Sequence, residues 1–270
     1  MSVEAEVYKP ANHIRVVTAT SLFDGHDAAI NIMRRILQDT GVEVIHMGHN
    51  RSVREIADAA IEEDVQGIAV SSYQGGHIEF FKYLVDLLRE REASHIKIFG
   101  GGGGVIVPEE IKVLEAYGVT KIYSPEDGAE LGLQGMINGM VRCMDFSTLK
   151  DGGNSLKDLS PQNKLAVANL ITAAEQAKAS EDGHLAALRT ELAKKIGDRK
   201  TPVIGITGTG GAGKSSLTDE IILRILHDLK NIHVAVISCD PSRRKTGGAL
   251  LGDRIRMNAI GNPRLYLRSL

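Results

Sequence analysis

The chain has little of what anchors many small folds: two cysteines, no tryptophan, and only 4% aromatic residues in 270. Cys143 and Cys239, far apart, make neither a disulfide framework nor a zinc site, so two buried thiols in a reducing cytoplasm are expected. Charge of one sign is missing as well. Lys plus Arg number 32 against 34 for Asp plus Glu, so no basic field argues for nucleic acid or an anionic membrane. The opening "MSVEAEVYKPANHIR" has no apolar h-region, and no run of 18 apolar residues occurs anywhere. Neither secretion nor a membrane span is expected from such a pattern.

Glycine, by contrast, is abundant. "KIFGGGGGVIVPEE", Lys97 to Glu110, sets five glycines between an apolar strand and a helix start. A turn needs one or two, and each further glycine costs backbone entropy, so something is expected to approach this backbone closely.

The first half alternates β-branched runs with amphipathic stretches. Strands are predicted at "IRVVTAT", "VEVIHM", "GIAVSS", "IKIFG" and "VTKIYS". Val53, Ile56, Ala57, Ala60 and Ile61 fall on one helical face, as do Phe80, Leu84, Leu87 and Leu88. Five βα units with short connections predict an α/β fold, a flavodoxin-like five-stranded parallel sheet covered on both faces, over residues 1–145. Residues 146–199 read as a linker, "STLKDGGNSLKDLSPQNK", followed by a helical joint from Pro161 to Ile196. From 200 to 270 a second α/β unit is expected, with strands at "TPVIGIT" and "HVAVIS" and a helix burying Leu217, Ile221 and Ile225. Only 70 residues follow Lys200, so this unit is expected to be incomplete, a truncated P-loop NTPase domain.

Three strand ends carry candidate chemistry. Asp24, Gly25 and His26 follow the first strand, Ser71 and Ser72 end the third, and the glycine run ends the fourth. Ligands bind at this edge of a parallel sheet. A carboxylate at Asp24 would accept one ring N–H of His26 and leave the other nitrogen outward, an arrangement suited to a single axial metal ligand. Asp27 is a candidate N-cap, His77 a marginal site candidate, and the other seven histidines have ordinary surface or hydrogen-bonding roles.

Asp24-x-His26, Ser71-x-Tyr73 and Gly103-Gly104 together resemble the cobalamin-binding domain of adenosylcobalamin-dependent mutases, with Ala29 where that family has glycine and Tyr73 where it has leucine. The resemblance implies that His26 replaces dimethylbenzimidazole below cobalt, with Asp24 as its partner. It further implies that the displaced nucleotide tail enters a slot touched by Ser71 and walled by Gly103 and Gly104.

The second motif is Gly208-x-x-x-x-Gly213-Lys214-Ser215, after a predicted strand and opening a helix. The N–H groups of Gly210, Gly211, Ala212, Gly213, Lys214 and Ser215 would cradle phosphates, Lys214 would reach the β and γ oxygens, and Ser215 would hold Mg²⁺. Asp240, in "CDPSRRKTGGALLGDRIRM", is placed to act on Mg²⁺ or an attacking water, and Asp253 and Arg256 follow where a γ-phosphate would be sensed.

Asp240, Pro241, Ser242, Thr246, Gly247 and Gly248 resemble the pattern of the G-protein chaperones of methylmalonyl-CoA mutase. The order of cobalamin domain, helical joint and G domain is similar to the amino-terminal part of the fused acyl-CoA mutases that interconvert isobutyryl-CoA and n-butyryl-CoA. That resemblance implies adenosylcobalamin, GTP and Mg²⁺ as cofactors, a homodimer in full-length form, and an acyl-CoA substrate bound by a barrel outside this chain. A receiver-like module fused to an ATPase would want a phosphoacceptor Asp where Ser71 and Ser72 stand. A corrinoid methyl-transfer module would keep His26 but has no reason for the attached G segment.

Overall fold

The computed structural model describes residues 6–149, 156, 158–180, 184–239, 250–251 and 253–270. Asp240 and the Asp-Pro-Ser and Thr-Gly-Gly motif after it lie outside them, and so do the side chains of Asp253 and Arg256.

Five parallel strands form where β-branched runs predict them: β1 (Arg15–Thr20), β2 (Glu43–His46), β3 (Gly67–Ser71), β4 (Lys97–Gly101) and β5 (Lys121–Tyr123). Their order, β5-β4-β3-β1-β2, is the flavodoxin-like order. A two-residue strand, β7 (Leu250–Leu251), extends the sheet beyond β2. Alternation decides which helix covers which face. Val17, Ala19, Ile68, Val70 and Ile98 pack with α2 (Val53–Glu62), α3 (His77–Glu90) and α4 (Pro108–Tyr117). Val16, Val44, Ala69 and Phe99 face α1 (Ala28–Asp39) and α5 (Pro125–Met144). The stripes on α2 and α3 are buried as their spacing predicts.

Two helices, α6 (Lys164–Ser180) and α7 (His184–Ile196), fill the predicted joint. Beyond them α8 (Lys214–Asp228) packs against β6 (Val234–Ser238) and β8 (Leu265–Ser269), which pair in parallel. Three expectations fail here. "TPVIGIT" forms no strand, and Val203 and Ile204 are 93% and 73% exposed, because no partner strand lies beside them among the described residues. The buried face of α8 is Ile222 and Leu226, while Leu217 is exposed, because only one side of this helix is covered. Both cysteines are exposed: Cys143 lies on the outward side of α5, and Cys239 follows a strand whose side chains are no more than partly covered. No helix among the described residues is long and apolar enough to cross a membrane.

The amino end of the sheet holds a buried ion network. Glu63 accepts from Arg15 Nη2 at 2.6 Å, Arg254 Nε at 2.9 Å and the Ser269 backbone N–H at 3.1 Å. Glu62 pairs with Arg254 at 2.8 Å and with Lys164 at 2.6 Å. Charges this deep need partners in place, and removing one strands the other.

Asp145, closing α5, accepts from Tyr8 Oη, the Ala11 and Asn12 backbone N–H groups and the Asn12 amide. Burial pushes its carboxyl up, but the hydrogen bonds from Ala11, Asn12 and Tyr8 outweigh that and bring it down to about 2. A depressed carboxyl stabilises the fold above its unfolded value of roughly 4, and that contribution is lost as pH falls through the folded value. Asp145→Asn is therefore expected to lower the thermal midpoint at pH 7 more than at pH 2. Equal losses at both pH values in calorimetric scans would contradict this assignment.

Candidate functional sites at two strand edges

The β1–α1 loop is organised around Asp24, whose side chain is fully buried. Its Oδ1 accepts from the His26 backbone N–H at 2.9 Å and lies 2.8 Å from His26 Nδ1, while Oδ2 accepts from the Tyr73 backbone N–H at 2.5 Å. Burial pushes this carboxyl up, but the bonds from Tyr73 and His26 outweigh it, and the net direction is down. An ionised carboxylate only accepts, so Nδ1 is the donor, and in the neutral ring the lone pair sits on Nε2. The His26 side chain is 76% exposed, so that lone pair is available to an incoming group. Asp27 stands at the helix N-cap position but makes no capping bond with its side chain.

Behind this loop a cavity of about 350 Å³ opens between the sheet ends and helices α1 and α5. Parallel pairing places Thr20, Ser71, Gly101 and Tyr123 in one row across four strands. Ser71 and Gly101 form the cavity floor, and Ala29, Met33, Met136 and Met140 supply apolar walls. The hydroxyls of Thr20 and Ser71 are buried without a hydrogen-bond partner. Of the two, Ser71 lines the cavity, and an unpaired hydroxyl in an apolar slot is costly unless a ligand meets it.

The glycines of the run differ in what they do. A side chain at Gly100 would collide with Phe81 and Ile122 on the opposite face, so this glycine serves the core. A Cβ at Gly102 would fall 1.9 Å from the Ser72 carbonyl oxygen, where the β3 and β4 loops touch backbone to backbone. Gly103, at φ +56°, sits beneath the Tyr73 ring. Gly104 is exposed with open space around it, and so stands outside the cavity wall where the sequence had placed it. Sequence reasoning missed Gly101 and Gly102 in that wall. The register of β4 against β3 decides their roles, and no local signal carries it. Accordingly, Gly102→Ala is expected to lose most of its folded, ligand-competent protein, whereas Gly104→Ala is neutral in thermal denaturation; the reverse order would refute the geometry.

His77 is buried, with Nδ1 3.2 Å from the Gln74 carbonyl and Nε2 2.9 Å from Glu110. It braces the β3–α3 loop against the start of α4 and does not line the cavity.

The phosphate loop ends in Gly213, in the left-handed region at φ +78°, and Lys214 opens α8. Gly211 is also left-handed, at φ +77°. Lys214 Nζ donates to the Thr209 carbonyl at 2.9 Å, spanning the loop that Gly208, Gly210 and Ala212 complete. Ser215 lies in the first turn of α8. Asp219, one turn further on, went unnoticed in the sequence. It accepts from the Asn258 and Ala259 backbone N–H groups at 3.0 and 2.9 Å and ties the loop's helix to the segment after Arg256. A lone acid on a helix gives no warning of such a clip.

Comparison with known proteins matches two families. Residues 14–128 match the B12 binding domain, and residues 167–270 match the methylmalonyl-CoA mutase-associated GTPase MeaB. The chain is 60% identical to a fused isobutyryl-CoA mutase of Geobacillus kaustophilus over 98% of its own length and 25% of that protein's. Identity is again 60% to the fused isobutyryl-CoA mutase of Cupriavidus metallidurans, covering 97% of this chain and 24% of the relative. A pivalyl-CoA mutase small subunit from Xanthobacter autotrophicus is 34% identical, with 56% of this chain covering 94% of it. The fold and its two sites thus define a B12-binding α/β domain joined to a MeaB-type GTPase segment. The chain belongs to the family of the fused isobutyryl-CoA mutases and the mutase small subunits. It spans about a quarter of the length of the fused relatives it matches.

Proposed function

We propose that this chain is the cobalamin-binding and partial GTPase portion of an acyl-CoA mutase that interconverts isobutyryl-CoA and n-butyryl-CoA, with nucleotide-dependent control of cofactor loading. The observation that carries the proposal is the pairing of an exposed His26 Nε2, its tautomer held by Asp24, with an adjacent slot containing the orphaned Ser71 hydroxyl.

The residues present fit cobalamin in its histidine-ligated form. His26 would coordinate cobalt from below. The cavity floored by Ser71 and Gly101 would receive the nucleotide tail, with the Ser71 hydroxyl offering its unmet hydrogen bond and Ala29 leaving room at the wall. When bound, the cofactor supplies the radical chemistry of carbon-skeleton rearrangement, and the protein supplies binding and orientation. Asp24 holds Nδ1 as a donor, so Nε2 is the nitrogen that the neutral ring would offer to cobalt. In this reading acyl-CoA binds a barrel domain outside this chain, the full-length protein is a homodimer, and its location is cytoplasmic.

For the second site, the loop from Gly208 to Ser215 would hold the phosphates of GTP, with Lys214 released from Thr209 to reach them. Mg²⁺ would sit on Ser215 with Asp240 and Asp253, and Arg256 would follow the γ-phosphate.

Cob(II)alamin bound to the chain is expected to show electron-spin splitting from a protein nitrogen, abolished in His26→Ala. Splitting from dimethylbenzimidazole in the wild type would overturn the histidine-ligated reading. At the phosphate loop, Lys214→Ala is expected to weaken fluorescent GDP and ADP analogues alike. Since loop contacts to phosphate are blind to the base, the wild-type chain should separate the two nucleotides poorly. Strong guanine preference in the titration would show that a base reader lies within these residues.

A further inference from the structure

Tyr73 touches both halves of the candidate cobalamin site. Its backbone N–H donates to Asp24, its ring centroid lies 5.7 Å from that of His26 at a tilt of 42°, and it lines the cavity. Across the cavity mouth its Cε1 lies 3.0 Å from where a Cβ on Gly103 would stand. The left-handed backbone at Gly103 and its missing side chain are therefore already taken up by this ring. The half-buried phenol stands between the exposed histidine and the slot.

We propose that the Tyr73 ring is a kinetic gate on the slot, which turns aside to admit a nucleotide tail and closes again over it. The proposal rests on the slot receiving that tail. Among the described residues Tyr73 is the cavity-lining ring beside His26, so a group anchored at Nε2 and reaching the Ser71 hydroxyl passes it. Among the described residues the phenol hydroxyl makes no hydrogen bond, so packing holds the ring. Its backbone N–H is fixed on Asp24, so rotation about the side-chain bonds opens the mouth without disturbing the tautomer of His26. Gly103 supplies the seat, because a Cβ there would crowd the closed ring at 3.0 Å.

A gate open in about one molecule in ten slows entry about tenfold relative to a permanently open mouth. The test is stopped-flow association and release of adenosylcobalamin and of adenosylcobinamide, which lacks the tail, with wild type, Tyr73→Leu and Tyr73→Phe. Both variants keep the backbone N–H on Asp24. Tyr73→Leu is expected to speed association and release of adenosylcobalamin by about tenfold each, with little change in Kd and little effect on adenosylcobinamide. Tyr73→Phe, which keeps the ring, should behave as wild type. Unchanged rates in Tyr73→Leu, equal acceleration of both ligands, or acceleration in Tyr73→Phe would each overturn the gate while leaving cobalamin binding intact. A wild-type chain that binds neither ligand would sink the cobalamin reading and the gate together.

Discussion

One buried carboxylate holds the cobalamin edge of the molecule in register. Asp24 takes three donors from two loops: the backbone and ring of His26, and the backbone of Tyr73. The first loop follows β1 and the second follows β3, which are neighbours in the sheet, so a short side chain spans them. The bonds compensate the carboxylate for its desolvation, and the same bonds keep it ionised. Ionisation then dictates the tautomer, and the tautomer leaves Nε2 free. Loop geometry and ring orientation thus descend from one group.

The slot beside it follows from alternation in a parallel sheet. Ala69 and Ser71 on β3, and Phe99 and Gly101 on β4, point to the α1 and α5 side. On β4 the size falls toward the carboxyl end, from Phe99 to Gly101, so the layer between sheet and helices is packed at one end and hollow at the other. Closing the hollow with larger residues would gain apolar contact, and the unmet Ser71 hydroxyl marks where this sequence forgoes it. The glycine run is therefore three features in succession: Gly100 for the far core, Gly101 for the slot, and Gly102 with Gly103 for the approach of the β3 loop and the Tyr73 ring.

How much of this could be read beforehand varied with how local its cause is. Five strands and the stripes on α2 and α3 were legible because each follows from side-chain period alone. His26 and Asp24 were legible as a pair because they lie two residues apart. The individual glycines were not, since their roles depend on which strand lies opposite. "TPVIGIT" has the composition of a strand, yet a strand needs a neighbour to bond, and none lies beside it among the described residues. Leu217 fell to the same cause, for a periodic stripe marks a face suited to burial and cannot say which elements will cover it. Cys143 shows the limit of residue averages: it sits among the buried Met140, Val141 and Met144 in sequence but points outward from α5.

The two ends of the sheet have different work, and the ion network shows why they stay separate. Arg15 opens β1 and Thr20 closes it, so the Glu63 cluster and the His26 loop stand roughly 17 Å apart along the strand, at ~3.3 Å per residue. At the amino end Arg254 and Ser269, from the GTPase segment, dock on Glu62 and Glu63 at the end of α2, and Tyr266 Oη donates to the Glu62 carbonyl. Arg268 meanwhile reaches Thr172 and Glu175 on α6. Apolar packing would tolerate a sliding β8, whereas these bonds have fixed donors and acceptors. A one-residue slip would place Leu267 where Arg268 pairs and leave a fully buried guanidinium without its carboxylate, an error costing about 3–5 kcal/mol. Directional bonds therefore fix how the GTPase segment sits on the B12-binding domain. They do so at the strand starts, at the opposite end of the sheet from His26 and the slot.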